Sequence, residues 1–276
     1  MRLGQVANRA TRLTVGVLAA VMLALLVVPI AALVLRALAG RGSLPALLSQ
    51  PLADAVLLSL ITTSLSALLI VALGMPLAYV FARYRFPLKR VLNVLIEVPV
   101  VMPPVVAGLA LLMTFGRRGV LGGVLAGAGV SLPFSAAAVV IAQVFVASPF
   151  FIRAAQVEFQ SIPRELEEAA SIDGATGVQT FLHVILPLSA RGLLVGLVLS
   201  WARALGEFGA TILFAGNLQG RTQTMPLFVY GAMERDLNAA LWASVMLIGV
   251  AVMALGVMRW LSRSLEEPEG STSRGS

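Results

Sequence analysis

Three of the thirteen acidic residues in this chain of 276, Glu165, Glu167 and Glu168, fall within four positions of one another. They stand in Ser161-Ile162-Pro163-Arg164-Glu165-Leu166-Glu167-Glu168-Ala169-Ala170-Ser171-Ile172-Asp173-Gly174. Pro163 suits the first turn of a helix, and the glutamates suit the positive end of its dipole. Leu166, Ala169 and Ala170 follow at i, i+3 and i+4 and form a narrow apolar face. Gly174 stops the helix. A second short helix is expected after it, with Val178, Phe181, Leu182 and Ile185 on one face, before Leu186-Pro187 leads into an apolar run. Helices that lie on lipid usually carry lysine and arginine on the polar face. An acidic, alanine-rich helix suits a groove in another protein better, although the pattern by itself leaves both readings open.

Other polar residues stand within apolar surroundings. Arg203 and Glu207 are four apart, so on one helix face they can pair. They serve either as a structural ion bridge or as the lining of a path, since ionisable groups near a span are functional candidates. Arg221 and Thr222 follow Gly220 and either donate hydrogen bonds to an anion or partner, or cap a turn. Gly206 and Gly209 allow backbone to approach closely. Pro99, Pro103 and Pro104 interrupt an apolar run and must break or kink its helix. A broken helix is tolerated at membrane depth where it is buried in protein or lines a cavity. Either Pro103, Pro104 and Gly108 line a translocation path and its gate, or the span begins only after Pro104. Glu97, just before them, reads as an interfacial charge.

Several chemistries are excluded. There is no cysteine, hence no disulfide, thiolate metal site or cysteine nucleophile. The single histidine, His183, argues against a histidine metal site within one chain. The only lysine, Lys89, follows Phe86-Pro87-Leu88 and not a glycine-rich loop, so the chain carries no phosphate-binding loop of its own. No nucleophile elbow or His/Asp cluster is present, and no catalytic residue is assigned.

The elements that must position these residues follow from composition. Hydrophobic residues make up 59% and charged residues 12%, against about 45–50% and about 25% in soluble domains. Mean hydropathy is +0.94. A soluble fold could not hide this much apolar surface, so the chain reads as an integral membrane protein in contact with lipid. A helix needs about 20 apolar residues to cross the hydrocarbon. Charge-free runs of that size lie between Arg12 and Arg36, Asp54 and Arg83, Glu97 and Arg117, Arg118 and Arg153, and Asp236 and Arg259. Ile185–Ala215 makes a sixth, interrupted by Arg191, Arg203 and Glu207. The first is too long for a signal-peptide core and reads as an uncleaved helix. Six spans put both termini on one side. The larger share of the basic residues falls there, most densely over Arg83–Arg90, so that side is expected to be cytoplasmic. The net charge of +7 is accordingly topological, with no basic stripe fit for nucleic acid. The expected organisation is a tail over 1–12, a transmembrane domain over 13–263 with the short helices at about 161–183, and a polar tail over 264–276.

Glu168-Ala169-Ala170, three residues, Gly174, nine residues, then Val184-x-Leu186-Pro187 resembles the EAA motif of ABC importer permeases, with valine for isoleucine as the one departure. Gly206-Glu207-Phe208-Gly209 resembles the oxyanion branch, the molybdate, tungstate and sulfate permeases, and is a core that sulfate permeases share; Gly220-Arg221-Thr222-Gln223-Thr224-x-Pro226-Leu227, Met102-Pro103-Pro104-Val105-Val106-Ala107-Gly108 and Phe115-Gly116-Arg117-Arg118-Gly119 resemble the molybdate type most. The resemblance covers about Ala55 to Leu261. It implies an all-α polytopic membrane protein of the type I importer permease fold, with six transmembrane helices and a cytoplasmic coupling-helix pair. It implies that Glu168, Ala169, Ala170, Gly174, Leu186 and Pro187 couple the chain to a separate ATP-binding subunit. ATP and Mg would lie on that subunit, with no cofactor on this chain. It further implies a second permease copy, an extracytoplasmic anion-binding protein and a place in the bacterial inner membrane. The rival class is a secondary transporter or channel that works without ATP, which would leave the acidic loop unexplained.

Overall fold

A computed structural model describes residues 2–40 and 50–264. It is helical, with no strand among the described residues. In chain order the helices are α1 (Arg2–Ala39), α2 (Gln50–Arg83), α3 (Lys89–Val101), α4 (Pro104–Phe115), α5 (Gly122–Gly127), α6 (Ala136–Ser161), α7 (Arg164–Ile172), α8 (Gly177–Thr180), α9 (Leu186–Leu205), α10 (Gly209–Phe214), α11 (Met225–Met233) and α12 (Leu237–Ser264). A π-helical turn, Phe181–Ile185, joins α8 to α9. The polar tail expected at the C-terminal end lies, past Ser264, outside the described residues.

Length and composition allow five of these helices to cross a membrane, or six if the bent pair α3–α4 counts as one. That pair does traverse the bundle, alongside α6. Asn93 accepts from Gln156, Glu97 pairs with Arg153 at 2.9 Å, and Ala107 and Leu111 pack with Ala138, Val139, Ala142 and Val146. Contacts therefore progress from the Ser161 end of α6 to its Ala136 end.

Helices α2, α6 and α9 form the centre. Their core joins Ile70 and Ala78 of α2, Phe151, Ala155 and Phe159 of α6, and Leu193 and Ala204 of α9. In lipid there is no hydrophobic drive between helices, so close packing and hydrogen bonds must hold them. Both are present. Ser66 Oγ donates to Gln143 Oε1 at 2.9 Å between α2 and α6, and Ser200 Oγ donates to Ala147 O at 2.8 Å between α9 and α6. Gly192 and Gly196, one turn apart on α9, face Glu158 and Ala154 of α6; a Cβ at Gly196 would lie 2.6 Å from Ala154 Cβ. Helix α1 is apolar all round and exposed over most of its described side chains, as expected of a lipid-facing span.

The expected spans change in three places. The fourth begins only at Ala136, where Ser135 Oγ accepts from Ala138 N and caps the helix. The preceding glycine-rich stretch forms only the short α5. The fifth does not run to Ala215: α9 ends at Leu205, and α10 is a separate short helix. The second coupling helix does not stand apart from the fifth span either. Leu186 N donates to Phe181 O, an i→i+5 bond, so the wider turn carries the chain from α8 into α9 without a break.

Candidate functional site: the coupling segment and the broken third span

The segment expected to couple begins with α7. Its C-terminal end closes with Gly174 at φ 85°, Ala175 N donating to Ala170 O at 2.9 Å and Gly174 N to Ser171 O at 3.1 Å. That is the Schellman arrangement, whose left-handed residue is best served by glycine. Nothing lies within 4 Å of where a Gly174 Cβ would be, so conformation and not crowding selects the glycine. Thr176 then opens α8 with a capping box: its Oγ1 accepts from Gln179 N, and Gln179 Oε1 accepts from Thr176 N at 2.8 Å. The two short helices thus meet at a turn defined on both sides.

The outer face of this turn is open. Glu165, Glu168 and Ala169 are exposed, and Ala170 is half-buried. Leu166, Val178 and Leu182 are exposed, and Ile172 is 86% exposed. Apolar side chains therefore alternate with carboxylates on a surface that no part of the described chain covers. Leu186 is half-buried and Pro187 exposed, in the first turn of α9. Pro187 lacks an amide donor, and the first turn of a helix tolerates that loss.

The broken third span lies apart from this surface. Helices α3 and α4 meet at Met102-Pro103 with a bend of 116°. Pro99 does not end its helix; it stays within α3. The break comes where Pro103 has ψ 133°, as the residue before a proline must be extended. Pro103, Pro104, Val105 and Val106 are exposed. Gly108 is not. It is buried against α10, where a Cβ would lie 2.9 Å from Ala210 O. Gly209 answers it from the other side, against Pro104, so α4 and α10 approach backbone to backbone. Gly206 makes no such approach and is exposed.

Arg203 and Glu207 pair at 2.8 Å, although α9 has already ended between them. Glu207 is 1% exposed, and its other oxygen accepts from Ala210 N at 2.8 Å in the first turn of α10. One carboxylate thereby closes α9 onto α10. Thr222 is buried in a turn: its Oγ1 accepts from Leu218 N at 3.0 Å and donates to Gly216 O at 3.3 Å. The Arg221 side chain beside it is exposed. Among the described residues no group of three or more His, Asp or Glu side chains could hold a metal ion.

One set of residues was not foreseen. Arg83 ends α2 and meets Glu167 of α7. From sequence Arg83 read as a topological charge and Glu167 as a dipole partner. No local signal links two residues so far apart in the chain.

Residues 70–267 match the family model of the binding-protein-dependent transport system inner membrane component. The chain belongs to this family. The molybdenum transport system permease protein ModB of Mycobacterium tuberculosis is 44% identical to this permease over 214 residues, 77% of this chain and 81% of that one. The sulfate transport system permease protein CysW of Synechococcus elongatus is 37% identical over 223 residues, 81% of this chain and 77% of that one. Among solved structures, a bacterial ABC transporter involved in the import of the acidic polysaccharide alginate aligns with TM-score 0.74 over 96% of this chain and 99% of that chain, at 18% identity. That likeness concerns the fold alone. The permease is accordingly a multi-pass inner-membrane component of a binding-protein-dependent ABC importer. The rival reading, a transporter of an ATP-independent class, falls with this membership.

Proposed function

We propose that this permease is the membrane subunit of an ATP-driven importer of molybdate. The observation that carries the substrate is the 44% identity with a molybdenum permease over most of both chains. A dianion cannot enter hydrocarbon, because stripping its water costs far more than lipid returns. A protein-lined path must replace the lipid. The exposed face of Pro103, Pro104, Val105 and Val106, at a break in a span, is the segment we assign to that path and its gate. Gly108 acts behind it, as the seat of α4 on α10. The Arg203–Glu207 pair holds the same joint, and Arg221 with Thr222 shapes the loop after α10.

The separate ATP-binding subunit, which would carry ATP and Mg, docks on the open face of Glu165, Glu168, Ala169, Ile172 and Val178. Gly174, Ala170, Leu186 and Pro187 keep that face in register with α9. This places α7, and with it the start of α1 and the end of α12, in the cytoplasm. A second permease copy completes the path, and the extracytoplasmic anion-binding protein delivers to the opposite end. The chain itself binds no cofactor and catalyses no reaction in this scheme.

Sulfate is the second reading, favoured by the 37% identity with a sulfate permease. Uptake of labelled molybdate by cells with and without this chain, its partners present, separates the two. Uptake that survives excess sulfate and falls with excess tungstate supports the molybdate reading. Uptake abolished by sulfate transfers the chain to the sulfate branch.

A further inference from the structure

Helix α7 has no buried residue, so apolar packing does not hold it against the spans. Polar bonds do. The Arg83 side chain, 8% exposed, pairs with Glu167 Oε1 at 2.6 Å and donates to Ile162 O at 3.1 Å. Tyr79, one turn earlier on α2, donates from its hydroxyl to Glu167 Oε2 at 3.3 Å. Arg164 answers in the reverse direction, donating to Arg83 O at 3.0 Å. The last turn of α2 is thus bonded to the first turn of α7 and to the residue leading into it. The guanidinium's hydrogen bond to Ile162 O fixes direction as well as distance, because its donors form a rigid planar fork. Edge-to-face contacts of Tyr79 with Phe159 and Phe181 hold its ring in place.

From this we infer that Arg83 and Glu167, braced by Tyr79, form a transmission clamp that makes α2 a second output of the coupling segment. The first output is α9, which α8 joins without a break. Without the clamp, a displacement of α7 would reach α2 only indirectly, through the packing of α2 on α6 and α9. With it, α2 moves directly, and α2 reaches the other end of the bundle: Ser59 Oγ accepts from Met225 N at 2.7 Å, where α11 begins. Arg83, Glu167 and Tyr79 are positioning residues, and none of them needs to touch anion or nucleotide. Their role rests on the reading that α7 docks on an ATP-binding subunit.

The test uses the assembled importer, purified with its ATPase and reconstituted with the binding protein, and reads molybdate imported per ATP hydrolysed. Glu167→Gln keeps the shape and removes the charge. Its import per ATP is expected to fall about fivefold or more, the low end of ordinary coupling energies. Tyr79→Phe should fall less, in the same direction. The exchange of Arg83→Glu with Glu167→Arg should recover part of the loss, which a merely structural defect would not. An unchanged ratio in assembled Glu167→Gln overturns the clamp and leaves the docking reading intact. Should Glu167→Gln fail to assemble, Tyr79→Phe decides, and an unchanged ratio there overturns the clamp. Failure of the unaltered chain to co-purify with an ATPase overturns the docking reading, and the clamp with it.

Discussion

At the scale of the residue, Gly174 shows how little chemistry a helix-ending position needs. It carries no side chain and has open space where one would stand, yet its φ of 85° closes α7 and aims the chain at α8. An L residue in that conformation costs about 1–2 kcal/mol. Gly174→Val therefore has room for its Cβ but not for its backbone. The expected result is a permease that still assembles and imports several-fold less anion per ATP hydrolysed. Normal import in Gly174→Val would refute a role for this turn in coupling. Gly174 was legible in the sequence because helix-ending glycines follow a local rule. The Thr176–Gln179 capping box was equally local, two polar residues at the spacing such a box demands, and the sequence reading passed over it. Arg83 and Glu167 were not legible at all, because their meeting depends on where two distant helices end.

Among elements, the decisive contact is α6 against α9. Their antiparallel match runs through Gly192 and Glu158, Gly196 and Ala154, and Ser200 and Ala147. Two glycines four apart put a flat surface on one helix face, and the backbones close on it. Gly196→Leu forces a side chain into Ala154 and is expected to destabilise the bundle by about 1–3 kcal/mol, as overpacking does. Thermal unfolding of the purified complex in detergent would read this as a lowered midpoint. An unchanged midpoint would mean that the helices can separate there without loss. The elements also explain where the expected spans changed. Charge-free length cannot distinguish a helix that continues from one that ends inside protein. α9 ends at Leu205, past which the Glu207 carboxylate accepts from Ala210 N in the first turn of α10, and α6 starts late because Ser135 caps it. Both are tertiary or capping events within an apolar run that hydropathy reads as uniform.

For the whole molecule, the structure sets two ends. One carries α7, the Arg83–Arg90 segment, the start of α1 and the end of α12. The other carries Arg117, Arg118 and the starts of α6 and α12. The chain has no cysteine, so a single introduced thiol reports one place. Cysteine at Asp173, exposed in the turn after α7, should react with a membrane-impermeant maleimide only in opened cells. Cysteine at Val120, exposed at the opposite end, should react in intact spheroplasts. The reverse pattern would invert the topology.

The sequence by itself determined that this chain lives in a membrane, that it crosses about six times, and that an acidic helix-turn-helix hangs at one end. Those properties depend on composition, on run length and on contacts a few residues apart, all of which a linear reading can see. It also determined the break at Pro103-Pro104, since a missing amide and a steric clash act locally. Tertiary structure alone decided that Gly108 is buried against α10, that Glu207 bridges two helices, and that α7 is bonded to α2 through Arg83. Each of these turns on which faces meet when separate helices pack. That geometry is set by small residues and buried polar groups, whose partners the order of the chain does not reveal.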